Sequence, residues 1–161
     1  MNMEQIRKIA FLDRDGVINV KAAPHHYITS VAEFRFARGI FFLMKRLLED
    51  GFELIIITNQ RGVSTGLLSI NTLNEIHSHM ISELRRRNID LLDIFFCPHA
   101  ANSCDCRKPM PGMLSIACSK YHIDLTSSIL ISDSIEDIQM GKQFGIGKSQ
   151  LVITDKPNKM L

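Results

Sequence analysis

The apolar positions of the chain fall into short runs that alternate with helical stripes. Lys8-Ile9-Ala10-Phe11-Leu12-Asp13 reads as a buried strand ending near Gly16, and residues 53–58 carry Leu-Ile-Ile-Ile, the near-continuous apolar run of a strand covered on both faces. Residues 92–97 and Ile129-Leu130-Ile131-Ser132-Asp133 repeat the pattern, and residues 150–154 predict a fifth strand. Helical patterns occupy the intervals. One spans residues 39–50 and is stopped by Gly51; a second runs from about 69 to 87, with Ile70, Leu73, Ile76, Met80, Ile81 and Leu84 on one side. A third is opened by Pro111-Gly112-Met113, proline being tolerated in a first turn, and a fourth lies around residues 135–144. This alternation predicts a three-layer, Rossmann-like α/β fold around a central parallel sheet of about five strands. Three strands end in polar residues, Asp13, Thr58 and Asp133. The carboxyl ends of strands line the ligand crevice of an open parallel sheet, so these distant residues are expected at one edge.

Composition narrows the class. The 161 residues are 45% apolar and 22% charged, which suits a single domain over residues 1–161 that buries its surface without disulfides. The formal charge is only +2, and the longest basic run, Arg85-Arg86-Arg87, closes a predicted helix where it complements the helix dipole. Nucleic acid is therefore not an expected partner. No apolar run approaches the ~20 residues that cross a bilayer, and residues 1–8 lack a signal-peptide stretch, so no membrane association and a cytoplasmic setting are expected. The four cysteines then need a reason other than structural disulfides.

Chemistry concentrates at the strand ends. In Phe11-Leu12-Asp13-Arg14-Asp15-Gly16-Val17-Ile18-Asn19, two aspartates two positions apart follow a buried strand, with a glycine allowing a sharp turn. Close carboxylates repel unless a cation or shared proton intervenes, and Mg²⁺, a hard ion with oxygen ligands, suits them. A bare Asp-x-Asp serves equally as a self-capped turn. The later segments favour the metal: Thr58-Asn59-Gln60 offers a hydroxyl and backbone N–H groups to a phosphate, Arg107-Lys108-Pro109 brings two cations, and Asp133 and Asp137 bring further carboxylates. The ordered set resembles the four motifs of the haloacid dehalogenase-like phosphatases. That resemblance implies Asp13 as nucleophile and Asp15 as general acid/base, with Thr58 and Lys108 binding the phosphoryl group. It also implies Mg²⁺ held by Asp13, Asp133 and the backbone carbonyl of Asp15, with Asp137 in support.

Between the third strand and Arg107, Cys97, His99, Cys104 and Cys106 place three thiols and an imidazole within ten residues, the donor set of a closed tetrahedral zinc site. A reduced loop with no metal is the competing reading. Cys118 suits a small buried position, and His25, His26, His77, His79 and His122 have no matching ligand set. Cys-Pro-His followed by Cys-x-Cys-Arg-Lys-Pro-x-Pro-Gly-Met is similar to the zinc-bearing branch that contains heptose 1,7-bisphosphate 7-phosphatases and histidinol-phosphate phosphatases. Asp13 and Thr58 are separated by 44 residues, and Thr58 and Lys108 by 49, which leaves no room for a large cap domain.

The resemblance implies a small phosphorylated sugar as substrate, most simply a heptose 1,7-bisphosphate of surface-glycan synthesis, with histidinol phosphate as the alternative. Arg107 can hold a second anionic group or join a surface ion pair. Asn19 and Tyr27 can meet sugar hydroxyls or fill ordinary loop space, and Asn59 and Gln60 stand beside the phosphate. Ser132 and Ser134 depart from the family pattern around Asp133, and the zinc loop is short. A non-catalytic zinc module that binds a partner is the reading from another class. Nothing in the sequence signals a coiled coil, and a monomer is expected.

Overall fold

The structure, a computed structural model, describes residues 6–153. Its strands are β1 (Ile9–Leu12), β2 (Glu53–Asn59), β3 (Asp93–Cys97), β4 (Ile129–Ser132) and β5 (Lys148–Leu151). The helices are α1 (Ile40–Glu49), α2 (Ile70–Arg85), α3 (Gly112–Lys120) and α4 (Ile135–Phe144), with a single 3-10 turn at Val31–Glu33. The strands are all parallel and lie in the order β3-β2-β1-β4-β5.

Alternation along the central strands builds the three layers. Ala10 and Leu12 of β1, with Leu54 and Ile56 of β2, face Met44 and Leu47 of α1 and Leu73, Ile76 and Met80 of α2. Ile9 and Phe11, with Ile55 and Ile57, face Met113, Leu114 and Ala117 of α3 and Met140 of α4. Both faces of the sheet are thus covered by helices, as unbroken apolar strands require. Helix α2 is capped by Ser69, whose hydroxyl accepts from the Thr72 N–H at 3.0 Å.

The elements match the sequence expectation in number and type, with one shift. β5 runs from Lys148 to Leu151, not from 150 to 154, because a half-exposed edge strand needs no apolar run. Residue 154 lies outside the described residues. Within α2 the inward stripe is Leu73, Ile76, His77, Met80 and Leu84, while Ile70 is exposed.

Candidate active site

The chain builds β2 and β3 on one side of β1, then crosses to place β4 and β5 on the other. The strand order therefore reverses between β1 and β4, and a crevice opens beyond their carboxyl ends. Asp13 follows β1 directly, and its N–H donates to the Ile131 carbonyl of β4 at 3.0 Å. The cleft there encloses about 360 Å³ and is lined by Asp13, Asp15, Lys21, Asn59, Arg107, Lys108, Asp133, Ser134 and Asp137, among others.

Lys108 is the hub of the buried charge. Its ammonium stands 3.0 Å from Asp13 Oδ2 and 2.6 Å from Asp137 Oδ2, with its side chain 3% exposed. Ser132 donates to Asp137 Oδ2 at 2.8 Å and, more weakly, to Asp13 Oδ2 at 3.4 Å, so its hydroxyl bridges the two acids. Asn59 clamps the Lys108 backbone from both sides, donating to its carbonyl and accepting from its N–H, each at 3.0 Å. Burial pushes the Asp13 carboxyl up to about 6 against the pull of Lys108, and the Asp137 charge adds to the rise. Burial also opposes the Lys108 charge, yet Asp13 and Asp137 together hold its ammonium above the usual lysine range.

Asp15 sits in a different field. Arg14 Nη2 donates to its two oxygens at 2.9 and 3.1 Å, Asn19 Nδ2 to Oδ1 at 3.0 Å, and Gln60 Nε2 to Oδ2 at 2.8 Å. Burial works against its ionisation, but the Arg14 charge and these donors outweigh it and hold the carboxyl below the ordinary range. Gly16 lets the chain turn there, at φ +93°; a Cβ at this position would collide with the Asp133 carboxylate.

Asp133 faces the cleft with Oδ2 accepting from Lys21 at 2.7 Å and Oδ1 buried without a partner. A bare acceptor oxygen on a carboxylate that shares the cleft with Asp13 fits a hard cation, so the residues present suit Mg²⁺. At the zinc-type loop, the donor atoms of Cys97, His99, Cys104 and Cys106 all lie within 4.8 Å of one another. Neighbouring separations are 3.5 Å for Cys97–Cys104 and Cys97–His99, 3.4 Å for Cys104–Cys106 and 3.2 Å for His99–Cys106. The edges of a zinc tetrahedron are roughly 3.5–3.8 Å, so this donor set also fits its ion. Gly112 closes the loop: its N–H donates to the Asp105 carbonyl at 3.0 Å, and a side chain there would strike that carbonyl.

The structure thus gathers Asp13, Asp15, Lys108, Asp133, Asp137, Asn59 and Arg107 at one cleft. Thr58 is buried beneath it, accepting from Gln60 at 2.9 Å. Asn19 is 0% exposed and donates to Asp15 and to the Val20 carbonyl, so it sits under the acid rather than on the wall. Tyr27 packs on Gly62, half-buried. Arg14, Lys21, Ser132 and His77 contribute contacts that the sequence reading did not assign. Two of them offered a signal in the sequence: Arg14 by its position between two aspartates, and Ser132 by its departure from the family pattern.

A family model described as Polynucleotide kinase 3 phosphatase matches residues 8–144. The chain belongs to this family of haloacid dehalogenase-like phosphatases, and it is a phosphatase rather than a non-catalytic module. It is 39% identical over 158 residues to the D-glycero-alpha-D-manno-heptose-1,7-bisphosphate 7-phosphatase of Photorhabdus laumondii, covering 93% of this chain and 85% of that protein. The D-glycero-beta-D-manno-heptose-1,7-bisphosphate 7-phosphatase of Yersinia pestis is 37% identical, covering 96% and 85%. Among solved structures, the D,D-heptose 1,7-bisphosphate phosphatase of B. bronchiseptica, complexed with magnesium and phosphate, superposes with a TM-score of 0.84 at 34% identity, covering 91% of this chain and 81% of that one. Among the described residues no helix is long and apolar enough to cross a membrane.

Proposed function

We propose that this chain removes the 7-phosphate of a heptose 1,7-bisphosphate through an aspartyl-phosphate on Asp13. The observation that carries the reading is the cleft where Asp13, Lys108 and the bare oxygen of Asp133 meet. Relatives at 37–39% identity that carry this activity in their names support the substrate class. Mg²⁺ would be held by Asp13, Asp133 and the Asp15 carbonyl, where it would neutralise phosphate charge. Zn²⁺ would be held by Cys97, His99, Cys104 and Cys106 and would fix the segment leading to Arg107 and Lys108.

The residues divide the work. The Asp13 carboxylate attacks phosphorus while the bond from phosphorus to the C7 oxygen breaks, and Asp15 delivers its proton to that oxygen. The ionised Asp15 then takes a proton from water, which attacks the phosphoaspartate and returns Asp13 with release of phosphate. Asp15 is held ionised at rest, which suits the second step; the approach of a phosphate dianion raises its proton affinity for the first. Lys108 balances the charge on Asp13 and the phosphoryl oxygens. Thr58 and the backbone around Asn59 and Gln60 border the phosphate, and Arg107, whose Nη1 is buried and unpartnered, faces the distal anionic group. The four free thiols fit a reducing cytoplasmic setting.

Turnover of the α and β heptose 1,7-bisphosphates beside histidinol phosphate, with the released position assigned by phosphorus NMR, tests the substrate. Asp13→Asn is expected to fold normally and to abolish turnover. Equal kcat/KM for histidinol phosphate, or phosphate released from C1, would overturn the assignment.

A further inference from the structure

His77 occupies a place on the inward stripe of α2 that an aliphatic residue would fill, and the chemistry above gives it no task. The residue is 6% exposed, and Phe96 of β3 meets its ring edge-on with centroids 5.8 Å apart. Its Nε2 lies 3.2 Å from Arg14 Nη1. A guanidinium has donors only, so Nε2 accepts and the ring proton sits on Nδ1 of a neutral imidazole. Burial, reinforced by the Arg14 charge, holds the ring down to about 4, so it stays an acceptor across the neutral range.

Arg14 is itself 1% exposed, and a buried guanidinium is fixed only by what its N–H groups reach. Nη2 grips both oxygens of Asp15 and Nη1 reaches His77, while Nε is buried with no partner. The fork is therefore held at two ends, by the acid and by the imidazole. Without the imidazole, Nη1 loses its acceptor in a buried site, and the planar group must turn to find another, taking the plane of the Asp15 carboxylate with it.

We propose that His77 is a positioning residue for Asp15: its Nε2 pins the Arg14 guanidinium, and the guanidinium sets the orientation from which Asp15 protonates the leaving oxygen. The inference rests on the assignment of Asp15 as general acid. It separates from core filling by chemistry, because a sugar alkoxide must be protonated to leave, whereas p-nitrophenolate departs without a proton.

Single-turnover rates of leaving-group release, with enzyme in excess, isolate the first displacement for heptose 1,7-bisphosphate and for p-nitrophenyl phosphate. His77→Leu is expected to slow release of the sugar by about 10–100-fold, while p-nitrophenol release falls by less than about 3-fold. His77→Gln, which keeps an acceptor, is expected to retain both rates within about 3-fold. His77→Met carries the same comparison should the leucine variant not fold. Asp15→Asn must show the selective loss on the sugar in stronger form. If Asp15→Asn slows both substrates equally, the general-acid assignment falls and takes the inference with it. If Asp15→Asn is selective but His77→Leu slows both equally, or His77→Gln behaves as His77→Leu, the inference alone is overturned.

Discussion

Replacing Lys108 by methionine removes one charge and leaves two. Its ammonium lies 3.0 Å from Asp13 and 2.6 Å from Asp137, and its side chain is almost sealed from water. With an effective dielectric of about 20, the two contacts are worth at most roughly 5.5 and 6.5 kcal/mol, set against several kcal/mol for burying the ammonium. Orphaning a buried partner typically costs about 3–5 kcal/mol, and that is the loss expected of Lys108→Met in protein without added Mg²⁺. The stranded Asp13, whose carboxyl burial already raises, responds by keeping its proton. A carboxyl whose folded affinity for protons exceeds its unfolded one stabilises the fold increasingly as pH falls, so the gap to wild type should narrow between about pH 8 and pH 5. Urea unfolding followed by circular dichroism at both pH values measures it. A gap below about 1 kcal/mol, or one unchanged by pH, would refute the view that Lys108 is the counter-ion of two buried acids.

Gly16→Ala forces a side chain into positive φ, costing about 1 kcal/mol or more, and into the Asp133 carboxylate. Its Tm should fall by about 2–4 °C for each kcal/mol, and the rise in Tm on adding Mg²⁺ should shrink, as thermal melts with and without the ion will show. Elemental analysis is expected to find zinc in the wild type; Cys106→Ser should lose it and should be cleaved faster by protease within residues 97–106. For the metal-free wild type, Asp13 is raised to about 6 while the unfolded carboxyl titrates near 3.8. The folded state thus holds the extra proton across that window. This contribution to stability is full below the lower value and is lost as pH climbs through the upper one, and Mg²⁺ should flatten the decline in urea titrations.

Much of the fold was legible because each strand is a compact apolar run and each helix a stripe. The apolar Leu151-Val152-Ile153 drew the fifth strand downstream of its true place at Lys148–Leu151, where pairing with β4 decides and side-chain burial does not. Strand order was not readable, since it depends on which strands pair across the sheet. The meeting of Asp13 with Asp133 was readable from a rule about strand ends. The partnership of Arg14 with His77, 63 positions apart, was not, because a single histidine in helical phase looks like core. Ser132 stood out as a departure from the family pattern, yet only coordinates reveal that its hydroxyl joins Asp13 to Asp137.

The strand that leads into Asp13 lies third of five, bonded to β2 on one flank and β4 on the other. Fraying at either margin of the sheet would leave that strand zipped on both sides. Amide deuteration should accordingly reach Lys148–Leu151 early and Ile9–Leu12 among the last. An enzyme built this way can loosen at its borders while the strand leading into Asp13 stays fixed in place.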